Sequence, residues 1–390
     1  MDPRTNPYAP GAGTPPPELA GRDDVLERVS IALDRIRAGR HARSFMLTGL
    51  RGVGKTVLLD RVLLDAEAAG LLTVRLEAPE ERSLPALLAP GLRTTLLKLS
   101  RTEAARTAAG AALRVLAGFV SSAKLTYGDL ELSVDADPEP GQADAGDLEA
   151  DLADLLVAVG GAAKARGTAV VLLVDELQYV PVAQLTALIA ALHRTAQRQL
   201  PVCLVGAGLP QLVGNLGRAK SYAERLFEFV EVGPLAPDQT ERAIVEPARA
   251  FGVAYTPEAV ARITADTEGY PYFVQEWGKH AWSVADASPI TEADAATAAE
   301  DARAELDAGF FRVRFDRLTP GEKQYLGAMA QLGPGPHRSG EVAEVLGKKA
   351  SSAAPTRANL IAKGMIYAPA HGDTAFTVPL FDAFMRRTMP

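Results

Sequence analysis

Residues 49–56 constrain the fold of this chain more than any other segment. The stretch matches G-x-x-x-x-G-K-[ST] at every fixed position and reads Gly49, Leu50, Arg51, Gly52, Val53, Gly54, Lys55, Thr56. Glycines let the backbone curl so that its N–H groups point at phosphate oxygens, and a helix beginning at Lys55 adds its positive N-terminal end. Lys55 places a charge on the β- and γ-phosphates, and the Thr56 hydroxyl is a ligand for Mg²⁺. We therefore predict that residues 49–57, including Val57 in the first turn of the helix, bind phosphate groups.

Short apolar runs alternate with helical patterns on both sides of this loop. The runs that predict strands are residues 44–48, 71–77, 170–174, 201–205 and 227–232. The run at 170–174 is apolar throughout, which is typical of a central parallel strand covered on both faces. Strands separated by helices predict an α/β fold, with a parallel sheet and helices on both sides.

Two acids, Asp175 and Glu176, follow the apolar run at 170–174 directly. At that position Asp175 reaches Mg²⁺, directly or through water, and Glu176 polarises a water for attack on the γ-phosphate. An acid pair alone would equally suit the start of a helix. This pair lies about 120 residues after the phosphate loop, which favours the role in Mg²⁺ binding and hydrolysis. An acid next to the magnesium aspartate favours ATPases over GTPases, and the sequence lacks the Asn/Thr-Lys-x-Asp guanine signature. We predict ATP or ADP and Mg²⁺ as cofactors.

Changes in composition divide the chain into four parts. Residues 1–17 are rich in proline and predict an extended arm. Residues 18–235 hold the α/β core, with a mobile insertion at about 121–148 that contains a hairpin pattern and an acidic loop. Residues 236–316 predict a helical lid, with helix starts at Asp238, Thr256, Tyr270 and Thr291.

The fourth part, residues 317–390, predicts a winged-helix domain. Its first helix is capped by Thr319 with Pro320 next, two more follow at 339–346 and from Ser351 or Ser352 to 363, and a hairpin comes last. Residues 319–390 hold eight Lys and Arg against five Asp and Glu, whereas the whole chain has a net charge of −7. This contrast favours duplex DNA as a partner, through four basic residues: Lys348, Lys349, Arg357 and Lys363. Winged helices also bind proteins, and the hairpin tip carries Asp373 without Lys or Arg, so a protein partner is the alternative.

The remaining composition excludes several classes of protein. A single cysteine, Cys203, rules out an internal disulfide framework and a thiolate metal cluster, and the five histidines have no ligand spacing. No run reaches the roughly 18–20 uncharged apolar residues of a membrane helix, and the N-terminus has no apolar secretory core. We expect a cytoplasmic protein with no membrane partner.

These motifs together resemble the AAA+ ATPases of the P-loop NTPase fold. Within them, the predicted C-terminal winged helix is similar to the replication-initiator-like group and its bacterial and archaeal relatives, over residues 19–390. The resemblance implies that Gly21 and Arg22 line the adenine pocket. It also implies that Arg225, just before the fifth strand, is an arginine finger that reaches a neighbour's γ-phosphate in a homo-oligomer; Arg218 is the weaker candidate.

The sequence departs from that family at two positions. Its fourth strand ends without the polar sensor residue, and Tyr272 stands where the family has an arginine that opens a lid helix. Both departures favour slow ATP hydrolysis, used as a nucleotide switch coupled to a DNA-binding winged helix. Two alternatives remain open: a DNA-binding regulator with a structural nucleotide, or a signalling ATPase related to STAND proteins, whose winged helix contacts bound ADP or protein.

Overall fold

The computed structural model describes residues 1–78, 83–101, 103–122 and 137–389, and the backbone of two short strands between 122 and 137. These residues divide into two units by their contacts. The sheet unit comprises Asp24–Thr48 and Leu58–Glu231. The loop unit comprises Met1–Asp23, Gly49–Val57 and Val232–Pro390, and so contains the predicted phosphate loop.

The sheet unit holds the alternating part of the chain. Its elements are α1 (Asp23–Arg37), β1 (Ser44–Thr48), α2 (Lys55–Ala68), β2 (Leu72–Glu77), α3 (Leu84–Ser100), α4 (Glu103–Ser122), β3 (Thr126–Tyr127), β4 (Leu130–Glu131), α5 (Leu148–Arg166), β5 (Val170–Asp175), α6 (Val182–Gln197), β6 (Val202–Gly208), α7 (Gln211–Ala219), α8 (Ala223–Leu226) and β7 (Phe227–Glu231). The first residues of α1 and α2 belong to the loop unit.

Five of these strands form one parallel sheet in the order β2-β5-β6-β1-β7. Every residue of β1, β5 and β6 is buried, because helices cover both faces of the central strands. The predicted α/β fold is therefore confirmed. The strand β6 runs to Gly208, three residues further than its apolar run suggested.

The predicted insertion is described only in part. The backbones of β3 and β4 pair antiparallel, with Thr126 opposite Glu131. The rest of residues 123–136 lies outside the described residues, and the mobility expected for this insertion stays a prediction.

The loop unit is helical apart from a small sheet near its end. Its elements are α9 (Pro237–Arg249), α10 (Pro257–Thr267), α11 (Pro271–Val284), α12 (Glu292–Leu306), a π-helical turn (Asp307–Phe311), α13 (Arg312–Asp316), α14 (Pro320–Leu332), β8 (His337–Arg338), α15 (Ser339–Val345), α16 (Ala350–Ala362), β9 (Ile366–Tyr367), β10 (Asp373–Phe376) and α17 (Phe381–Thr388).

Proline and threonine set where the lid helices begin. Proline occupies the first position of α9, α10 and α11, where a backbone N–H has no intrahelical partner. The hydroxyls of Thr256 and Thr291 cap α10 and α12 by accepting a backbone N–H three residues on. All four lid helices therefore start within one or two residues of the positions expected.

The C-terminal part contains the predicted helices and hairpin together with a strand that the sequence did not suggest. The two residues of β8 pair with β10, which gives an antiparallel sheet in the order β8-β10-β9. A strand of two residues is too short to show alternating apolar and polar side chains, so the sequence did not predict it. The cap expected at Ser351 or Ser352 is wrong: α16 begins at Ala350 after Lys349, without a side-chain cap.

The N-terminal arm, residues 1–17, is held along the lid. It contains a single 3-10 turn, Pro3–Thr5, and otherwise no helix or strand. The Asn6 amide donates to the carbonyl of Lys279 at 2.9 Å, and the buried Tyr8 donates its hydroxyl hydrogen to the carbonyl of Ile244. Among the described residues, none of the helices has the length and apolar character needed to cross a bilayer.

Candidate nucleotide-binding site

The phosphate loop connects β1 to α2 and needs glycine at three positions. Gly52 and Gly54 have φ values of +81° and +89°, in the region that L side chains rarely adopt. An ideal Cβ at Gly49 would lie 2.1 Å from the carbonyl oxygen of Val232. The loop therefore takes this curve only with glycine at these sites. Such a cradle at the N-terminus of the 14-residue helix α2 fits the phosphate groups of a nucleotide.

The Lys55 ammonium is kept at the loop. Its Nζ lies 2.9 Å from the carbonyl oxygen of Gly49 and 2.8 Å from that of Leu50, and the residue is 8% exposed. Thr56 follows as a half-buried residue in the first turn of α2. A positive charge and a hydroxyl are thus placed one after the other at the start of this helix.

Arg22 contacts this loop, which the resemblance had not specified. Its Nη2 donates to the carbonyl oxygen of Gly233 at 2.7 Å and to that of Val53 at 3.1 Å. Burial lowers the pKa of the guanidinium. Gly21 has a φ of +69°, and an ideal Cβ there would lie 2.3 Å from Oε1 of Gln239. Arg22 therefore joins the phosphate loop to the segment that enters the lid.

The first turn of α11 bonds the loop from the lid side. The N–H of Tyr272, a group with no intrahelical partner, donates to the carbonyl oxygen of Gly52 at 3.2 Å. The ring of Tyr272 stacks on Phe310 with centroids 4.8 Å apart, and its hydroxyl donates to Glu276 at 3.2 Å. Burial, followed by the charge of Glu276, raises the pKa of Tyr272 to about 12. Tyr272 thus supplies the loop with a backbone donor and a neutral ring in place of a charge.

The C-terminal part bonds the same loop through a backbone group. The N–H of Arg51 donates to the carbonyl oxygen of Thr377 at 2.9 Å. Thr377 is fully buried, and its hydroxyl lies 2.6 Å from the carbonyl oxygen of Gly364 and 3.0 Å from that of Met365. Nothing in the sequence signalled Thr377, because the contact uses only main-chain atoms.

The predicted acid pair lies at the end of β5 in the sheet unit. Asp175 is 2% exposed, and its Oδ1 accepts the N–H of Glu176 at 2.9 Å. Its Oδ2 lies 3.5 Å from Nη2 of Arg75, whose Nε is 2.8 Å from Asp60. Sequence reasoning missed Arg75, which lies on the neighbouring strand β2 and faces the acid because of the parallel pairing.

Glu176 has an unusual backbone and a partner that sequence reasoning also missed. Its φ of +54° is uncommon for a residue other than glycine and is often found at functional sites. The Gln178 amide donates to the Glu176 carboxylate, and Gln178 Oε1 accepts the N–H of Leu209 at 3.0 Å. Gln178 therefore ties Glu176 to the end of β6.

Two glycines near the end of β6 lie close to side chains of the segment after β5. An ideal Cβ at Gly208 would lie 2.6 Å from Gln178 Oε1, and one at Gly206 would lie 2.4 Å from Leu177 Cδ1. The side chains of residues 177 and 178 fill the space that larger residues of β6 would need. A polar amide is thus present beside Glu176, but it comes from the segment after β5.

The predicted Mg²⁺ ligands have suitable chemistry. The Thr56 hydroxyl and the Asp175 carboxylate are hard oxygen donors, which Mg²⁺ prefers. Thr56 belongs to the loop unit and Asp175 to the sheet unit. Each of the two groups by itself therefore has the chemistry of a magnesium ligand.

Arg225 lies at the end of the sheet where the parallel strands begin, opposite to the end that carries the acid pair. It is an exposed residue of α8, next to the amino end of β7, which pairs with β1 at Ser44 and Phe227. Asp175 and Glu176, by contrast, follow the carboxyl end of β5. Within the part of the chain that the structure describes, Arg225 pairs with no carboxylate.

The four basic residues predicted to bind DNA differ in their surroundings. Arg357 donates to the Thr374 hydroxyl at 2.8 Å and to the carbonyl oxygen of Asp373 at 2.7 Å. Lys363 lies 2.8 Å from the buried carboxylate of Glu322. Lys348 and Lys349 are exposed in the turn between α15 and α16. Two of the four are thus engaged inside the domain and two project from it.

Two families match separate parts of the chain. Residues 18–205 match the family described as "AAA ATPase domain". Residues 308–385 match the family described as "Domain of unknown function (DUF8462)". No curated protein is similar to the chain in sequence.

Solved structures resemble the chain over nearly its whole length. The Walker-type ATPase PABY2304 of Pyrococcus abyssi is 17% identical, with a TM-score of 0.57 over 94% of this chain and 96% of that one, which shows a shared fold. The RuvB Holliday junction branch migration motor of Thermotoga maritima has 15% identity and a TM-score of 0.46, with 95% and 96% covered. The Orc1 protein of Aeropyrum pernix, solved in complex with DNA, has 16% identity and a TM-score of 0.45, with 96% and 94% covered.

Proposed function

We propose that this chain, a nucleotide-binding ATPase with an AAA ATPase domain over residues 18–205, is an ATP-dependent switch whose C-terminal part closes on the phosphate loop. In one state the loop is bonded to the C-terminal part. In the other state the loop holds a triphosphate and the C-terminal part is released. Slow hydrolysis returns the second state to the first.

The residues of the chain have separate tasks in this cycle. Lys55 and the backbone N–H groups of the loop bind the phosphate oxygens, and Thr56 and Asp175 hold Mg²⁺. When bound, Mg²⁺ offsets negative charge on the β- and γ-phosphates. Glu176, kept in place by Gln178, accepts the proton of the attacking water.

The hydrogen bond between Arg51 and Thr377 carries the proposal. A carbonyl oxygen and a phosphate oxygen are both acceptors, so they compete for the same N–H. A phosphate oxygen placed beside the Thr377 carbonyl would also meet its negative end. Binding of a triphosphate that uses the Arg51 N–H is therefore coupled to loss of the C-terminal contact.

Hydrogen exchange tests the coupling directly. We expect a non-hydrolysable ATP analogue to speed amide exchange in residues 364–378, and ADP to have a smaller effect. The Lys55→Ala variant provides the control, since it loses the triphosphate site and should show no change on addition of the analogue. Unchanged exchange in a chain that demonstrably binds the analogue would show the proposal to be wrong.

The chemistry near Tyr272 and Gly208 supports slow turnover. Tyr272 carries no positive charge, and Gly208 has no side chain, so neither supplies a charged group to stabilise the transition state. We place this ATPase toward the low end of enzyme turnover numbers, below about 1 s⁻¹. Measuring phosphate release with and without duplex DNA tests this rate and any dependence on a partner.

An assembly of several copies would bring Arg225 into the reaction. Arg225 lies where the strands of the sheet begin, whereas Asp175 and Glu176 lie where β5 ends. This separation supports action of Arg225 on a neighbour's nucleotide. Such arginine fingers raise hydrolysis rates by about 10³–10⁵. The proposal therefore includes a homo-oligomer as the hydrolysing form.

Binding of duplex DNA by a C-terminal winged helix is the second candidate. The exposure of Lys348 and Lys349 in the turn before α16 supports it. We expect DNA binding that weakens as salt is added. The slope of log K against log salt concentration should fall in magnitude by about two for the double variant Lys348→Glu/Lys349→Glu. The exposed Lys98, in the sheet unit, provides a control as Lys98→Glu. A chain that shows the nucleotide-dependent release but no DNA binding at low salt would instead be a signalling ATPase related to STAND proteins.

A further inference from the structure

We infer that the sheet unit contains a second ligand site, a cavity of about 460 Å³ that binds a small phosphate-bearing anion. Three ionisable basic side chains line it, together with an amide, a phenol ring and an apolar floor. These lining residues are His41, His193, Gln197, Tyr222, Arg225 and Leu226. The inference shares Arg225 with the proposed arginine finger but uses none of the residues that contact the phosphate loop.

The cavity lies at the edge of the sheet opposite to the acid pair. His41 comes three residues before β1, and Tyr222 and Arg225 come just before β7. His193 and Gln197 are one helical turn apart, on one face at the end of α6 that leads into β6. Three separate segments therefore converge at the amino ends of three neighbouring strands. Asp175 and Glu176 follow the carboxyl end of β5 instead.

The charges of the lining point to an anion. Among the residues that the structure describes, no carboxylate lines the cavity. Within the described part of the chain, the side chains of His41, His193 and Arg225 make no hydrogen bond or ion pair. The neighbouring Arg194, by contrast, pairs with Asp154 at 3.0 Å. Arg225 carries a positive charge that a bound anion would offset, and the imidazole N–H groups can donate to the same anion.

The geometry suits a phosphate group. Arginine presents donors in a planar fork that matches two phosphate oxygens, and the two imidazoles and the Gln197 amide offer further donors. The His193 ring packs against the Tyr222 ring with centroids 4.6 Å apart, and Leu226 is 7% exposed. The volume is within the range of small-molecule sites, about 300–1,000 Å³. Part of the lining is thus packed against neighbouring side chains of the sheet unit.

Two sources could supply the phosphate: a free small molecule, or the nucleotide bound to another copy of this chain. We commit to the free molecule, because the convergence of three segments makes a concave site within one chain. The first experiment uses inorganic pyrophosphate and the Lys55→Ala variant, which lacks the phosphate-loop site. Calorimetry measures binding, and light scattering measures mass under the same conditions.

We expect one pyrophosphate per monomer of the Lys55→Ala chain. Adding His193→Ala or Arg225→Ala should weaken that binding at least about tenfold, the loss of one charge-assisted contact. His371→Ala, which removes an exposed histidine elsewhere, should leave it unchanged. In histidine ring NMR spectra of the Lys55→Ala chain, pyrophosphate should shift the resonances of His41 and His193 and no others, which tests the site without a cavity variant.

Three results would overturn the inference. The first is no pyrophosphate binding by the Lys55→Ala chain. The second is binding that leaves the His41 and His193 resonances in place. The third is binding only when chains associate around ATP, which would mean that the cavity contacts a neighbour's nucleotide. None of these results bears on exchange at residues 364–378, so the switch and this site fail independently.

Discussion

The backbone N–H of Arg51 donates a hydrogen bond to the carbonyl oxygen of Thr377 at 2.9 Å. The next two residues of the loop are bonded as well, since Gly52 accepts from Tyr272 and Val53 accepts from Arg22. Three consecutive residues of the loop therefore contact the C-terminal part, the lid and the N-terminal segment. A change in the loop on nucleotide binding would reach all three.

Replacement of Lys55 tests the assignment of the loop. We expect Lys55→Ala to raise the Kd for ATP at least about 100-fold, because hydrogen bonds from a charged donor contribute up to about 3 kcal/mol each. Calorimetric titration measures the affinity, and circular dichroism verifies that the fold persists. Lys98→Ala, on an exposed face of α3, should bind ATP normally. An ATP affinity in Lys55→Ala equal to that of the unmodified chain would refute the assignment.

Gln178 should matter for turnover more than for binding. Gln178→Leu removes the donor to Glu176 and the acceptor for Leu209 N–H. We expect kcat to fall about tenfold or more, with the nucleotide Kd within about twofold. The free energy of unfolding should fall by about 1–3 kcal/mol because the Leu209 N–H loses its partner.

Two companion variants separate these effects. Glu176→Gln should bind ATP and lose nearly all turnover. Gln331→Leu, at an exposed position on α14, should change neither kcat nor stability. If Gln178→Leu lowers stability but leaves kcat intact, Gln178 is structural only and does not position Glu176.

Mixing variants tests whether Arg225 acts on a neighbour. Arg225→Ala keeps its own loop and acids, and Glu176→Gln keeps its arginine. Because α8 lies at the amino edge of the sheet, we expect each variant alone to be nearly inactive and the mixture to recover a measurable part of the activity. Steady-state phosphate release at several mixing ratios gives the result. No recovery in a mixture that forms oligomers would argue against action in trans. Arg218→Ala, mixed in the same way, distinguishes between the two candidate arginines.

Lys363 should contribute to stability in a pH-dependent way. Burial raises the pKa of Glu322, but hydrogen bonds from Lys363 and Thr319 outweigh it, and the pKa is lowered overall. A carboxyl whose pKa is lowered on folding stabilises the fold above its unfolded pKa, and this is lost as pH falls through the folded value. We expect Lys363→Met to reduce the free energy of unfolding by about 1–3 kcal/mol at pH 7 and by less at pH 3.

Urea unfolding at the two pH values measures this difference. Lys348→Met replaces an exposed lysine and should change the free energy of unfolding by no more than about 0.5 kcal/mol at both pH values. An equal loss at pH 7 and pH 3 for Lys363→Met would mean that its charge does not stabilise Glu322.

Much of the fold follows from interactions over a few residues. The apolar run at 170–174 becomes a fully buried strand because only a sheet covered on both faces accommodates it. Thr256, Thr291 and Thr319 start helices because their hydroxyls satisfy nearby N–H groups. The phosphate loop is predicted for the same reason, since its glycines, lysine and threonine lie within eight consecutive residues.

Interactions between near neighbours thus predict the five strands of the parallel sheet and the four lid helices, while the roles of the loop and of the acid pair stay predictions. Which distant groups meet depends instead on how the whole chain packs. Arg75 reaches Asp175 through the pairing of β2 with β5, and Gln178 occupies the space at Gly208. Thr377 reaches Arg51 through its carbonyl oxygen, a group that every residue possesses and that no pattern of side chains can mark. Local propensities act through neighbouring residues, whereas these contacts depend on how strands and helices pack across long stretches of chain.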